Sequence, residues 1–337
     1  MIPSKRVQDN KPTNEAGAAV PLRRLGRFEL RALLAKSARS MSWLVLDTRS
    51  QQEMIICLPR TAPATPELLA DWLQSAQAGA RVQHPNLGHA VEVSNVEHWP
   101  YIAYDRVLGE TLAELLARNR APLPVEVAQW LGQALEGLAF AHEAGHAHRD
   151  LQLSNIVVDQ AGHVRVLGLE VAQDLLPPGE FSTAQRRAVR EAAEEDVVSI
   201  GLLLHRLLGA HPVLDQEDLQ MVLQRMQPTG RELVRLPFET PHQVPAPLRA
   251  IANRATDRQA RQRYHSARSL LHALDGWRRA ATDSEDGPVK AMLDRVQRVG
   301  HLPSVSTRLH QVAQSKLMLT TPASELATLA LQDMALC

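Results

Sequence analysis

The side chains best able to do chemistry gather in one short stretch, His148-Arg149-Asp150-Leu151-Gln152-Leu153-Ser154-Asn155, which sets an imidazole, a guanidinium, a carboxylate and a carboxamide close together. Groups of these types exchange protons or bind cations when their surroundings allow it. Two more imidazoles, His142 and His146, lie just upstream. A metal site built from the three histidines is not expected, because their spacing crosses a helix end and Gly145. Cys57 offers a thiol, although a buried Cys usually behaves as a small inert hydrophobe. Ser182 and Thr183 stand near Arg186, Arg187 and Arg190 and read either as phosphorylation sites or as ordinary solvated loop.

These groups need elements to hold them. From Phe28 to Arg60 the chain reads as short β-type runs, FELRALLAK, SWLVLD and EMIICLPR, separated by polar turn residues. Between Pro66 and Val82, apolar residues Leu68, Leu69, Trp72, Leu73, Ala76 and Ala80 recur at helical spacing until His84-Pro85-Asn86 ends the pattern. VEVSNV and PYIAYDRV follow as strands, and from Thr111 onward the text is mainly helical. Residues 196–209, DVVSIGLLLHRLLG, are apolar nearly all round and read as a buried helix starting at Asp196. Two closing helices are expected within PLRAIANRATDRQARQRYHSARSLLHALDGWRR. A small β-rich lobe therefore precedes a larger helical one, an α+β arrangement.

Composition narrows the class. The 337 residues are 45% hydrophobic and 22% charged, with Lys+Arg and Asp+Glu balanced at 37 each, as in an ordinary globular protein with no nucleic-acid or membrane-surface partner. Only Cys57 and Cys337 occur, so neither a disulfide framework nor a paired-Cys metal site is expected. The first residues lack the apolar segment of a secretory signal and no run reaches membrane-spanning length, which places the protein in the cytoplasm. Residues 1–24 read as a disordered arm, 281–288 as a polar linker and 289–337 as a helical tail.

The string at 148–155, followed by IVVD, a turn at Gln160-Ala161-Gly162 and VRVL, closely resembles the catalytic loop of protein kinases. The resemblance continues at His84-Pro85-Asn86, through the hinge at Tyr101 to Gly109, at Asp196-Val197-Val198-Ser199-Ile200-Gly201, and at Arg263-Tyr264 with Ser266-Ala267, as in bacterial serine/threonine kinases. It covers roughly 25–280 and implies a two-lobed kinase-like fold, with 25–108 as the N-lobe and 109–280 as the C-lobe. Asp150 would accept the substrate hydroxyl proton and Asn155 would hold magnesium. Asp196 would bond the backbone of the His148-Arg149 segment, and His148, Arg149 and Arg263 would be structural residues.

The departures are as informative as the matches. The family's phosphate loop aligns with Ala35 to Ser42, where Ala35, Ser37 and Ser40 replace glycines that let the backbone approach phosphate. Cys57 stands in place of the phosphate-binding Lys, and Ser75 in place of the helix Glu that pairs with it. Gly168-Leu169-Glu170 replaces the magnesium-binding D-F-G, with Gly168 at the Asp position. Ile55 and Tyr104 put bulk where the adenine would lie, beside the hinge residue Asp105 and the pocket position Val157. No A-P-E motif precedes Asp196, and Arg263 lacks the Glu of the pattern. The resemblance therefore implies a pseudokinase with no cofactor. The alternative is an atypical active serine/threonine kinase that uses ATP and magnesium through substitutes such as Lys36, Arg60 or Glu170. On the first reading Asp150 and Asn155 are vestigial, and replacing Asp150 should cost little stability.

The tail carries a second resemblance. GHLPSV, a helix, and a second helix ending LQDMAL are similar to the beginning of an HDOD domain, a helical output module of bacterial signalling proteins. Either the chain is the N-terminal part of a longer protein with a downstream HDOD domain, or the tail helices dock on the kinase-like domain. The partner expected in both cases is a protein.

Overall fold

The computed structural model describes residues 24–281, except 107–108, 119–120, 174–182 and 227–231 and the side chains of 183–186. The expected arm at 1–23, the linker at 282–288, the tail at 289–337 and Ser182 lie outside the described residues, as does the Thr183 side chain. The chain divides into two compact units, Met1–Gly276 and Trp277–Cys337. No helix among the described residues is long and apolar enough to cross a membrane.

The N-terminal half is a six-stranded antiparallel sheet in the order β1-β2-β3-β4-β6-β5. Its strands are β1 (Arg24–Leu25), β2 (Phe28–Lys36), β3 (Ser40–Asp47), β4 (Gln52–Pro59), β5 (Ala90–Val96) and β6 (Trp99–Asp105). Arg24 already pairs with Glu29, so the arm expected to reach residue 24 gives way to the sheet there. One face closes over Phe28, Val45, Met54, Ile56, Tyr101 and Ala103. Helix α1 (Pro66–Ala80) lies among the strands, started by Pro66 in its first turn and by the Thr65 hydroxyl, which accepts the Leu68 amide at 3.3 Å.

Beyond the hinge come β7 (Glu110–Thr111), α2 (Leu112–Ala117) and α3 (Pro124–Glu143), then β8 (Ile156–Val158) and β9 (Val164–Val166), which form a small sheet in the order β7-β8-β9. Helices α4 (Thr183–Gly209), α5 (Leu219–Met226) and α6 (Ala246–Ala255) follow, and a last helix of this unit begins at 267. The two halves meet where the His84-Pro85-Asn86 turn docks on β9. There the Asn86 carboxamide donates to Val164 O at 2.9 Å and the Asn86 carbonyl accepts from Val166 N at 2.9 Å.

Helix α4 differs from expectation. It begins well before Asp196, because the polar residues upstream continue the helix instead of forming a loop. Ion pairs Arg187–Glu191 (2.8 Å) and Arg190–Glu194 (3.6 Å) at i,i+4 spacing support this exposed part. Asp196 thus sits inside a helix rather than at its start. Its role survives the change: Oδ2 accepts from His148 N at 2.7 Å and Oδ1 from Arg149 N at 2.8 Å, while His142 Nε2 lies 2.9 Å from Oδ2. Burial opposes the charge on Asp196, but the bond and charge of His142, with the backbone bond to His148, hold its carboxyl below the ordinary carboxylate range.

Arg149 has φ +64, a left-handed conformation that is unfavourable for a side chain of its size. Two amide bonds from one buried carboxylate offset that strain. Asp196→Ala is therefore expected to destabilise the domain by about 3 kcal/mol or more, read from urea unfolding, since two buried amides lose their acceptor. Stability between pH 6.5 and 4 should depend on a second buried group. His205 is buried on α4; burial pushes its imidazole down to about 4, a bond to Ala252 opposing and the charges of Arg235 and Arg249 adding to the effect. The folded state holds this group neutral while the unfolded chain protonates near 6.5, so its contribution is complete above 6.5 and is lost as pH falls toward 4. His205→Gln should flatten the decline of unfolding free energy across that window by roughly 3 kcal/mol. An unchanged slope in pH-dependent urea melts would contradict the assignment.

Candidate functional site

The loop at 148–155 is built by what surrounds it. Helix α3 ends before Gly145, and a 3₁₀ turn at Leu153–Asn155 leads into the β8–β9 hairpin. The His148 ring bonds the Leu167 carbonyl through Nε2 at 2.7 Å, so that nitrogen donates and Nδ1 accepts the Asp150 amide at 3.4 Å. Asn155 Oδ1 accepts from Gln152 N at 3.0 Å, and its carbonyl accepts from Leu167 N at 2.6 Å. His148, Asp150 and Asn155 are all buried, drawn together at the mouth between the lobes.

Asp150 does not stand clear in that mouth. Ser37 Oγ and Ser40 Oγ donate to its Oδ2 at 2.6 and 2.5 Å, and Gln152 Nε2 donates to Oδ1 at 2.9 Å. Two serines of the β2–β3 turn therefore end on the carboxylate that the catalytic-loop resemblance makes the proton acceptor. This alters the expectation that Asp150 carries little structural weight: 1% exposed with three donors, it is a fully engaged buried group. Ala35, the third replaced position, is half-buried on β2 opposite Ser42.

The remaining pocket positions form a single apolar body. Ile55, Cys57, Trp72, Ala76, Ile102, Tyr104, Val157, Leu167 and Val171 are one buried cluster. Antiparallel pairing sets Ile55 opposite Tyr104 and Cys57 opposite Ile102 across β4 and β6. Ile55 and Val157 are fully buried, and Tyr104 is 3% exposed with its hydroxyl accepting the Gly168 amide at 2.9 Å. Asp105, one residue on, pairs with Met54 at the strand end. The Cys57 thiol, 3.5 Å from the Ser42 hydroxyl, is pushed up to about 11 by burial, so it is neutral near pH 7. Ser75 is half-buried, and the α1 residues packed with Cys57 are Trp72 and Ala76.

Gly168 takes φ +86, and a Cβ there would meet Asn155 Nδ2 at 3.1 Å. Glu170 also lies in the left-handed region, at φ +64, and turns away from the cleft toward the loop. Its carboxylate accepts from Arg149 at 2.9 Å and lies 3.0 Å from His146 Nδ1. Helix α1 approaches so closely that a Cβ on Gly79 would stand 2.8 Å from Glu170 Cγ, while Trp72 Nε1 donates to Val171 O at 3.2 Å. Of the substitutes named for the alternative reading, Glu170 is thus held by the loop arginine, Lys36 is exposed, and Arg60 contacts Met41 Sδ at 3.3 Å. Arg263 donates from Nε to the Asp257 carbonyl at 2.5 Å instead of to a carboxylate.

Residues that motif reading did not single out complete the site. Gln152 lies inside the motif and links Asp150 to Asp218, whose Oδ1 accepts from Gln152 at 3.0 Å. Asp218 carries no local signature; its place is set by the fold alone. The three histidines go separate ways, to Asp196, Glu170 and Leu167 O.

Comparison with known proteins agrees with this architecture. The family model described as "Protein kinase domain" matches residues 67–274, beginning after the β2–β3 turn and Cys57. A probable serine/threonine-protein kinase of Streptomyces coelicolor is 29% identical over 212 residues, 57% of this chain and 31% of that protein. Serine/threonine-protein kinase PrkC of Bacillus subtilis is 23% identical over 264 residues, 73% of this chain and 39% of that protein. Serine/threonine-protein kinase PknB of Mycolicibacterium smegmatis is 24% identical over 264 residues, 72% of this chain and 42% of that protein. The chain spans less than half the length of each of these relatives. The order of strands and helices, the loop at 148–155 and the family match together establish that this chain belongs to the protein kinase domain family.

Proposed function

We propose that this chain is a pseudokinase, a kinase-fold signalling module that binds or relays to a protein partner in the bacterial cytoplasm and uses neither ATP nor magnesium as cofactor. The observation that carries the reading is the apolar cluster of Ile55, Cys57, Tyr104, Val157 and Leu167, buried on one another where the family places the base and its phosphates. Phosphoryl transfer rests on charge neutralisation and alignment, so a neutral thiol at 57 and a glycine at 168 remove the two charges that would anchor the phosphates and the metal. A downstream HDOD domain is the partner suggested by the tail sequence. Nucleic acid and membrane surface are not proposed as partners.

An atypical active serine/threonine kinase is the second reading, favoured by the retained Asp150 and Asn155 and by the similarity to serine/threonine-protein kinases of Streptomyces coelicolor and Bacillus subtilis. Nucleotide binding separates the two. A site occupied at a hundredfold excess over its Kd would raise the melting temperature by about 5–10 °C. The expected outcome with millimolar ATP and magnesium or manganese is no shift, and a clear rise would move the assignment to the active kinase.

Restoring the charges tests the reading further. Cys57→Lys, Ser75→Glu and Gly168→Asp together should not create phosphate transfer in a radiolabel assay with generic protein substrates, once circular dichroism shows the variant folded. Ile55 and Tyr104 still fill the base position, Ser37 and Ser40 still occupy Asp150, and Asp at 168 would have to adopt φ +86. Robust transfer by this variant would show the pocket to be sound.

A further inference from the structure

We propose that the β2–β3 turn is a latch that fastens the small lobe onto the catalytic loop, with Asp150 as its catch and Asp218 as a second anchor. Four of its backbone amides and both of its serine hydroxyls are engaged. Within the turn, Ser37 N bonds Ser40 O at 3.0 Å, and the Arg39 and Ser40 amides both donate to Ser37 Oγ at 2.9 Å. Across the lobes, the two hydroxyls reach Asp150, the Ala38 amide donates to Asp218 Oδ2 at 2.7 Å, and an Arg39 guanidinium nitrogen donates to Ala172 O at 2.7 Å. Gln152 ties the two catches together: its amide nitrogen donates to Asp150 and Asp218, and its Oε1 accepts from Leu219 N at 3.2 Å.

The contacts depend on one another. Ser37 Oγ can accept the two turn amides and donate to Asp150 only while the turn is tight, and a buried carboxylate without its donors carries a large desolvation cost. Opening therefore breaks the set together, which makes the turn a two-state element and not a loop that frays residue by residue. While the latch is closed, Asp150 cannot receive a proton from an incoming hydroxyl, and the lobes keep one relative setting. The proposal rests on the reading of this cleft as closed, yet the two fail by different measurements.

Hydrogen exchange on the full chain tests the latch. Amides 37–40 should be protected in the wild type. In Asp150→Ala, and in the milder Ser37→Ala/Ser40→Ala variant should the first fail to fold, their exchange should rise about tenfold or more. Exchange at Val45, Ile55 and Ile56 in the sheet core should not change. Because the contacts are shared, combining Ser40→Ala with Asp150→Ala should open the turn no further than the stronger single change. Unchanged exchange at 37–40, or effects that simply add, would overturn the latch and leave the nucleotide reading untouched. A melting shift with magnesium and ATP that arises only in the latch variants would keep the latch and overturn the nucleotide reading, because the turn would then be masking a working site.

Discussion

The buried carboxylate of Asp196 is the constraint from which the rest of the site follows. Charge of this kind is tolerated inside a protein only when donors surround it, and Asp196 finds them in the His148 and Arg149 amides and the His142 ring. Those bonds hold Arg149 at φ +64. The backbone reversal then sends the Arg149 side chain toward Glu170 and the Asp150 side chain toward the β2–β3 turn. Helix α1 is brought in by the same chain of contacts, through Gly79 against Glu170 and Trp72 on Val171. Both lobes are thus organised around a backbone turn whose shape one helix side chain maintains.

A kinase-type fold can persist when its phosphate-handling charges are replaced because those charges contribute little net stability. A buried ion pair regains in attraction roughly what it loses in desolvation, and well-packed apolar groups of similar volume are often equal or better. In this chain Cys57, Trp72 and Ala76 form part of one dry cluster with Ile55 and Tyr104. Removing half of such a pair would be damaging; having neither half is not. The small lobe is consequently held to the large one by apolar contact and by hydrogen bonds to Asp150 and Asp218, none of which needs a nucleotide.

Much of this was legible in the sequence, and for definite reasons. β2, β3, β4 and β6 announce themselves by apolar runs bounded by turns, and the loop at 148–155 is a fixed string whose order and surroundings identify the fold. The burial of Ile55 opposite Tyr104 could be anticipated because strand position determines which side chains share a face. The start of α4 is less legible because its exposed part carries no apolar face and is sustained instead by Arg187–Glu191 and Arg190–Glu194, a polar periodicity in the sequence. The Asp150 contacts were out of reach for a different reason. Serine at 37 and 40 reads as lost glycine, and only the folded turn reveals what the gained hydroxyls touch. Asp218 is more remote still, since nothing near it in the chain marks it.

The same geometry bears on how such a domain could signal. A domain that transmits by changing shape needs a ligand that binds its two states unequally, and in active kinases the nucleotide cleft supplies one. On the pseudokinase reading proposed above the cleft supplies none, and the energy to separate the lobes must come from contacts elsewhere on the surface. The closed state is stabilised by a cluster spanning both lobes and by a turn whose bonds break together, so the barrier is concentrated in a few groups. A partner that binds the closed and open states equally leaves that balance unchanged. One that binds them unequally shifts it by the difference between its affinities for the closed and open states, and this differential affinity is what any account of regulation for this chain has to supply.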